Sequence, residues 1–320
     1  MDMLKVLSGG ELMVERFINS IQTGNIWRSI KIRLRFVFRI KNKNVYTEYL
    51  KCREYDKLFK KYNYLISQGV DDSLPRKRGR KIWICWLQGL ENAPDLVKSC
   101  VNSINQMKSD YEIVLLTSSN IKQYIELPGF IEEKREKGII PFAQYTDILR
   151  TALLCKYGGG WIDSSVLCTA NELPQYIEDA PLFVYRQMDL YSYNKDLTPI
   201  VASNWLMFSE SNNPIMLLTL KLLYKYWEEH NKLTHYFIYH LFFSMATRRY
   251  PKIWNEVPVF NNHSPHTMQQ ELSRKYNKRR WLNLVSMSAF HKLNRRLDFS
   301  NDSESLYSYI VSRYSNWEDE

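Results

Sequence analysis

The sequence predicts an α/β fold with a largely parallel sheet, and three observations carry that expectation. From Lys81 onward, short apolar runs alternate with segments of helical periodicity. The segments between those runs are long enough for the crossovers that parallel neighbours require. Hydrophobic residues make up 45% and aromatics 14% of the 320 residues, which suffices for a large core.

The elements follow in chain order. Ile82 to Leu87 is an apolar, aromatic run suited to a buried strand. Asn92 and Pro94 open a helix whose apolar stripe is Leu96, Cys100, Ile104 and Met107. Glu112 to Thr117 makes a second buried strand, and Ser118 or Ser119 caps the next helix. A helix from Phe142 to Tyr157 ends at Gly158-Gly159-Gly160, and a short strand from Trp161 to Cys168 follows. Beyond Leu182 strands are shorter and helices dominate. Asn213-Pro214 opens a long helix through Trp227, and Thr234 to Thr247 suits another. Asn301 to Ser303 caps a terminal helix carrying Leu306, Ile310, Val311 and Tyr314.

Composition divides the chain into residues 1–80, a basic helical segment, and residues 81–320, the α/β domain with a helical C-terminal part. Arg28 to Lys43 holds seven basic side chains and no acid, with Ile30, Leu34, Val37 and Phe38 at helical spacing. Such a segment either packs one face on the main domain or lies on anionic lipid. The cluster Arg76, Lys77, Arg78, Arg80 and Lys81 follows Pro75 and reads as a linker. Net charge is +10, which favours an anionic partner without choosing it. No nucleic-acid motif is present. The five cysteines, Cys52, Cys85, Cys100, Cys155 and Cys168, are odd in number and form no C-x-x-C, arguing against a disulfide framework. The N-terminus does not look like a signal peptide, and the longest apolar stretch, Tyr236 to Ala246, is too short for a bilayer. A cytoplasmic protein is expected.

Chemistry concentrates in YTDILRTALLCKYGGGWIDSSV, from Tyr145 to Val166. Asp147 and Arg150 share a helix face; taken alone, such a pair is a surface ion pair worth roughly 0.2–0.5 kcal/mol. The glycines permit a sharp turn, after which the strand delivers Asp163 at its end, followed by two hydroxyls. That arrangement suits either a carboxylate accepting backbone hydrogen bonds at a turn or an oxygen ligand of a hard cation. The triple glycine is no P-loop, because no Gly-Lys-Ser/Thr follows.

KIWICWLQGLENAPDLVKSCVNSI, the D-I-L-R-x-x-x-L-x-x-x-G-G-G-W-I-D block, SNWLMFSESNNPIM, HYFIYHLFF and FHKL together resemble the bacterial capsular polysaccharide synthesis glycosyltransferases. These are similar to glycosyltransferase family 32 and to the clostridial glucosylating toxins. The resemblance covers roughly Lys81 to Arg296, with blocks in the same order. It implies a GT-A fold, a Rossmann-like mixed and mainly parallel sheet, with helical N- and C-terminal additions. It also implies a retaining hexosyltransferase using a nucleotide-sugar, UDP-linked in the family. Trp86 matches the tryptophan lying against the base, with Gln88 beside it in the donor site. Asp147 and Arg150 match the pair gripping the donor sugar, and Asn204 a polar position near the reacting sugar. Asp163 matches the first acid of the metal-binding D-x-D motif, so Mn²⁺ or Mg²⁺ is the implied cofactor. Ser165 replaces the second acid, which leaves strict metal dependence open. His291 and Lys292 match a block closing over the diphosphate. The implied acceptor is a lipid-linked oligosaccharide, met by peripheral contact at the inner membrane face. A protein acceptor, an inactive sugar-binding domain and a nucleic-acid-binding scaffold are the rivals.

Overall fold

The computed structural model describes residues 43–187 and 199–315. The chain separates into two units, Met1–Lys57 and Leu58–Glu320. The larger unit thus begins well before residue 81, where composition placed the boundary. The basic segment from Arg28 lies almost wholly outside the described residues. Helix α1 spans Lys43–Gln68. Within the larger unit its Leu58, Tyr62, Leu65 and Ile66 are buried, and Tyr62 Oη donates to Glu229 at 3.1 Å.

The five-stranded sheet is built from β1 (Lys81–Cys85), β2 (Glu112–Leu116), β3 (Gly159–Ile162), β5 (Leu182–Arg186) and β6 (Ala202–Ser209) in the order β2-β1-β3-β6-β5. Strands β2 and β3 both pair parallel with β1. Only β6 runs against its neighbours β3 and β5, so four of the five strands share one direction. This is the mixed, mainly parallel α/β sheet expected of a GT-A domain. The small ribbon of β4 (Val166–Cys168) and β7 (Phe290–Lys292) is antiparallel.

Crossovers are helical, as the periodicity required. Helix α2, Asp95–Asn105, links β1 to β2 and buries Leu96, Cys100 and Ile104. Between β2 and β3 lie α3 (Ile121–Tyr124), α4 (Gly129–Glu136) and α5 (Phe142–Tyr157). The serines expected to cap α3 do not; Asn120 stands at its N-cap and instead accepts from Thr117 N–H through Oδ1 at 2.9 Å. Short α6 (Gln175–Glu178) precedes β5. Helix α7, Pro214–Glu229, starts as the sequence indicated: Asn213 accepts from Ile215 N–H at 3.0 Å and Pro214 needs no donor. Helices α8 (Ile238–Arg249), α9 (Pro251–Glu256), α10 (Lys278–Met287) and α11 (Leu306–Arg313) complete the described chain. The cap of α11 is Ser305, two residues beyond the expected span.

Two further expectations are corrected. Trp161 to Cys168 is not one strand: β3 stops at Ile162, and Val166 N–H bonds back to Asp163 O at 3.0 Å across a turn into the ribbon. The basic cluster is not a free linker. Arg78 forms a backbone β-bridge with Glu210 and its guanidinium donates to Ala180 O, Arg80 pairs with Glu178 at 3.2 Å, and Lys81 pairs with Glu112. The triple glycine is a steric requirement. Gly159 has φ of 88°, and a Cβ there would stand 2.2 Å from Lys81 O, so only glycine lets β3 pass this close to β1. All five cysteines are free. Among the described residues, no helix is long and apolar enough to cross a membrane.

Candidate active site

Topology assembles the site at one edge of the sheet. Parallel α/β sheets bind ligands beyond the carboxyl ends of their strands. Neighbouring β1 and β3 end at Cys85 and Ile162, so Trp86 and Asp163 emerge at that edge. Strand β6 runs the other way and therefore brings its beginning, with Asn204, to the same edge. Helix α5 leads into β3, which hangs its Asp147 and Arg150 over the strand ends. The ribbon register sets Lys292 opposite Val166, next to the Asp163 turn.

These side chains bond directly to one another. Asp163 Oδ1 accepts from Arg150 Nη2 and from Trp161 Nε1, each at 3.0 Å. Its Oδ2 accepts from Lys292 Nζ at 2.7 Å, and the same ammonium donates to Ser165 Oγ at 2.9 Å. Arg150 Nη1 donates to Asp147 Oδ1 at 2.6 Å, and Asn204 Nδ2 donates to that oxygen at 2.7 Å. Arg150 thus bridges both carboxylates while its guanidinium lies 4.8 Å from the Trp161 ring. Its side chain is only 4% exposed, so the pair with Asp147 is not the weak surface pair that spacing alone suggests. Breaking a buried pair of this kind costs roughly 3–5 kcal/mol.

The two acids are electrostatically unlike. Burial pushes Asp147 up to about 6, against the pull of Arg150. Burial also opposes ionisation of Asp163, yet Lys292 and Arg150 together hold its carboxyl below the usual carboxylate range. Burial pushes the Cys85 thiol up to about 12, so no thiolate is available from it at neutral pH.

The cleft has a volume of about 440 Å³, within the range of small-molecule sites. Trp86, Gln88, Asp147, Arg150, Asp163, Ser165, Asn204 and Lys292 all line it. His291 does not. Adjacent strand residues face opposite ways, so with Lys292 in the cleft the His291 ring is driven into the interior. It is fully buried 3.1 Å from Thr169 Oγ1, and burial pushes its pKa down to about 4. Trp161, Arg295 and Arg296 also line the cleft, and sequence reasoning passed over them. Each was signalled: Trp161 lies two residues before Asp163 on the same strand face, and the arginines follow FHKL after the single residue Asn294. The Arg295 guanidinium stands 5.0 Å from the Trp86 ring.

The donor set does not fit a divalent cation. Both Asp163 oxygens already accept from cationic donors, and Ser165 offers a neutral hydroxyl that Lys292 occupies.

Residues 28–310 match the family model described as capsular polysaccharide synthesis protein. The chain belongs to that family. The membership agrees with the resemblance carried by the D-I-L-R and G-G-G-W-I-D block. No curated protein matches the chain. Among solved structures it is similar to "PaToxG Glycosyltransferase", at 17% identity and a TM-score of 0.40, covering 65% of this chain and 83% of that one.

Proposed function

We propose that this member of the capsular polysaccharide synthesis family is a retaining glycosyltransferase, moving a hexose from a nucleoside-diphosphate sugar to a lipid-linked oligosaccharide. The supporting observation is the convergence of Asp147, Arg150, Asp163, Asn204 and Lys292, by direct hydrogen bonds, in one cleft at the carboxyl edge of the parallel strands.

Each group has a task in such a transfer. Trp86 offers an aromatic face to the base, and UDP is the nucleotide the family resemblance favours. Asp147, ionised and held by Arg150 and Asn204, accepts from sugar hydroxyls. Lys292, Arg295 and Arg296 gather positive charge where the diphosphate leaves. The C1–O bond to the diphosphate breaks with its electron pair on the phosphate oxygen. The acceptor oxygen bonds C1 from the same face, and its proton passes to that departing oxygen. Configuration is thereby retained, with no side chain forming a covalent intermediate.

The basic stretch from Arg28 supports a peripheral contact with anionic membrane on the cytoplasmic side, where a lipid-linked acceptor resides. A thermal-shift screen of nucleotide sugars tests the donor. A ligand at a hundred times its Kd stabilises by roughly 2.7 kcal/mol. Labelled donor is then offered to membranes and to a protein lysate. Label in the lipid fraction supports the reading; label confined to protein replaces the acceptor.

A further inference from the structure

We infer that the Lys292 ammonium stands in the place of a divalent cation in this site, making donor binding and transfer independent of metal. The inference rests on the transferase reading above and concerns how the diphosphate is neutralised. Lys292 Nζ contacts Asp163 Oδ2 at 2.7 Å and Ser165 Oγ at 2.9 Å. It therefore bridges the two positions of the W-I-D-S-S turn that a cation shared by an acid pair would bridge.

Charge bookkeeping favours the exchange. Two carboxylates with one divalent cation sum to zero, and so do Asp163, neutral Ser165 and Lys292. A hydroxyl at position 165 removes one negative charge, and an ammonium in place of a doubly charged ion removes one positive charge. The formal charge summed over these groups is unchanged.

The lysine is also held in place. Its strand is locked to β4 by the pairing of Val166 with Lys292, and Leu293 N–H donates to Ser165 O at 2.9 Å. On the other side of Asp163, Arg150 donates at 3.0 Å. An incoming divalent ion would meet cations on both flanks of Asp163, and the neighbouring Asp147 carboxylate already accepts from Arg150 and Asn204. Two unit charges 4 Å apart repel by about 4 kcal/mol at an effective dielectric of 20, and the penalty doubles for a divalent ion. Lys292 also lines a second hollow of about 290 Å³ with Arg295 and Arg296, so this cationic surface continues past the cleft.

Titration calorimetry of UDP, GDP, CDP and ADP against the purified chain decides the point, run once with excess EDTA and once with excess Mn²⁺. The nucleotide that binds is expected to do so with equal Kd, within threefold, in both. Binding at least tenfold tighter with Mn²⁺ overturns the inference. A nucleotide-free Mn²⁺ titration followed by electron paramagnetic resonance supplies a second reading. The wild type is expected to leave Mn²⁺ free at 100 times the concentration at which a Ser165→Asp/Lys292→Met double variant captures it. Capture by the wild type that Asp163→Asn abolishes overturns the inference. Should none of the four nucleotides bind, the transferase reading fails, and the Mn²⁺ titration still decides the role of Lys292.

Discussion

Lys292 Nζ lies 2.7 Å from Asp163 Oδ2, although 129 residues separate the two in sequence. The contact closes the site: it ties the ribbon from the C-terminal half to the end of a central strand. It also leaves Asp163 with a cation on each oxygen, so the carboxylate holds a fixed negative charge without attracting further cations. The site is thereby tuned toward a ligand carrying its own negative charge.

Arg150 carries the internal order of the site. Replacing it by Met leaves Asp147 buried and facing a second acid without the intervening cation. The Arg150→Met variant is expected to lose roughly 3–5 kcal/mol of stability. Urea denaturation with an unchanged m-value measures this.

Asp147 sets a pH response whose signs differ for stability and activity. Its folded value, about 6, exceeds the ordinary 3.8. Its contribution to stability is therefore full below 3.8 and is lost as pH rises through about 6. In the proposed transfer Asp147 acts in the ionised form that Arg150 and Asn204 hold, so donor turnover is expected to rise across pH 6. Asp163, whose value is lowered, stays ionised throughout this window. The acid limb of kcat/KM is expected to vanish from the residual activity of Asp147→Asn.

His291 is a packing residue. Burial lowers its value from 6.5 to about 4, so it contributes stability above pH 6.5 that is lost as pH falls through about 4. A shift of that size corresponds to roughly 3 kcal/mol. His291→Gln is expected to reduce Tm at neutral pH and flatten its decline between pH 6.5 and 4, leaving the KM for donor within twofold. A large rise in KM would return His291 to the site.

Trp86 is expected to stack on the nucleotide base. Trp86→Ala then weakens nucleoside diphosphate binding by roughly 1–3 kcal/mol, about five- to a hundred-and-fifty-fold, with little change in Tm. Calorimetric titration measures both affinities.

The sequence disclosed more of the site than of its surroundings. Asp147 and Arg150 were legible as a same-face pair from their i, i+3 spacing, but as site residues only through the resemblance carried by the D-I-L-R block, because spacing alone suggests a surface pair. Asp163 was legible because an apolar strand followed by hydroxyls marks a strand end. The turn after Ile162 was only half legible: the polar run Asp163-Ser164-Ser165 interrupts the apolar residues of Trp161 to Cys168, but the reversal into the ribbon is made by Val166 N–H bonding to Asp163 O at 3.0 Å, a contact local pattern does not show. The antiparallel course of β6 was equally hidden, because a strand buried at every position but Asn204 carries no alternation to reveal its partners. The inward turn of His291 follows from the phase of a three-residue strand, and so short a run shows no period. The closure of Lys292 on Asp163 depends on how the ribbon docks, a long-range relation that local pattern does not encode.

The central claim is that Asp163, held by Lys292 and Arg150, lies where the nucleotide-sugar donor reacts. Release of nucleoside diphosphate from the donor that stabilises the wild type, compared between the wild type and Asp163→Asn, tests it most directly. The account predicts at least a hundredfold lower turnover in a variant that still melts cooperatively. Turnover equal to that of the wild type would contradict it.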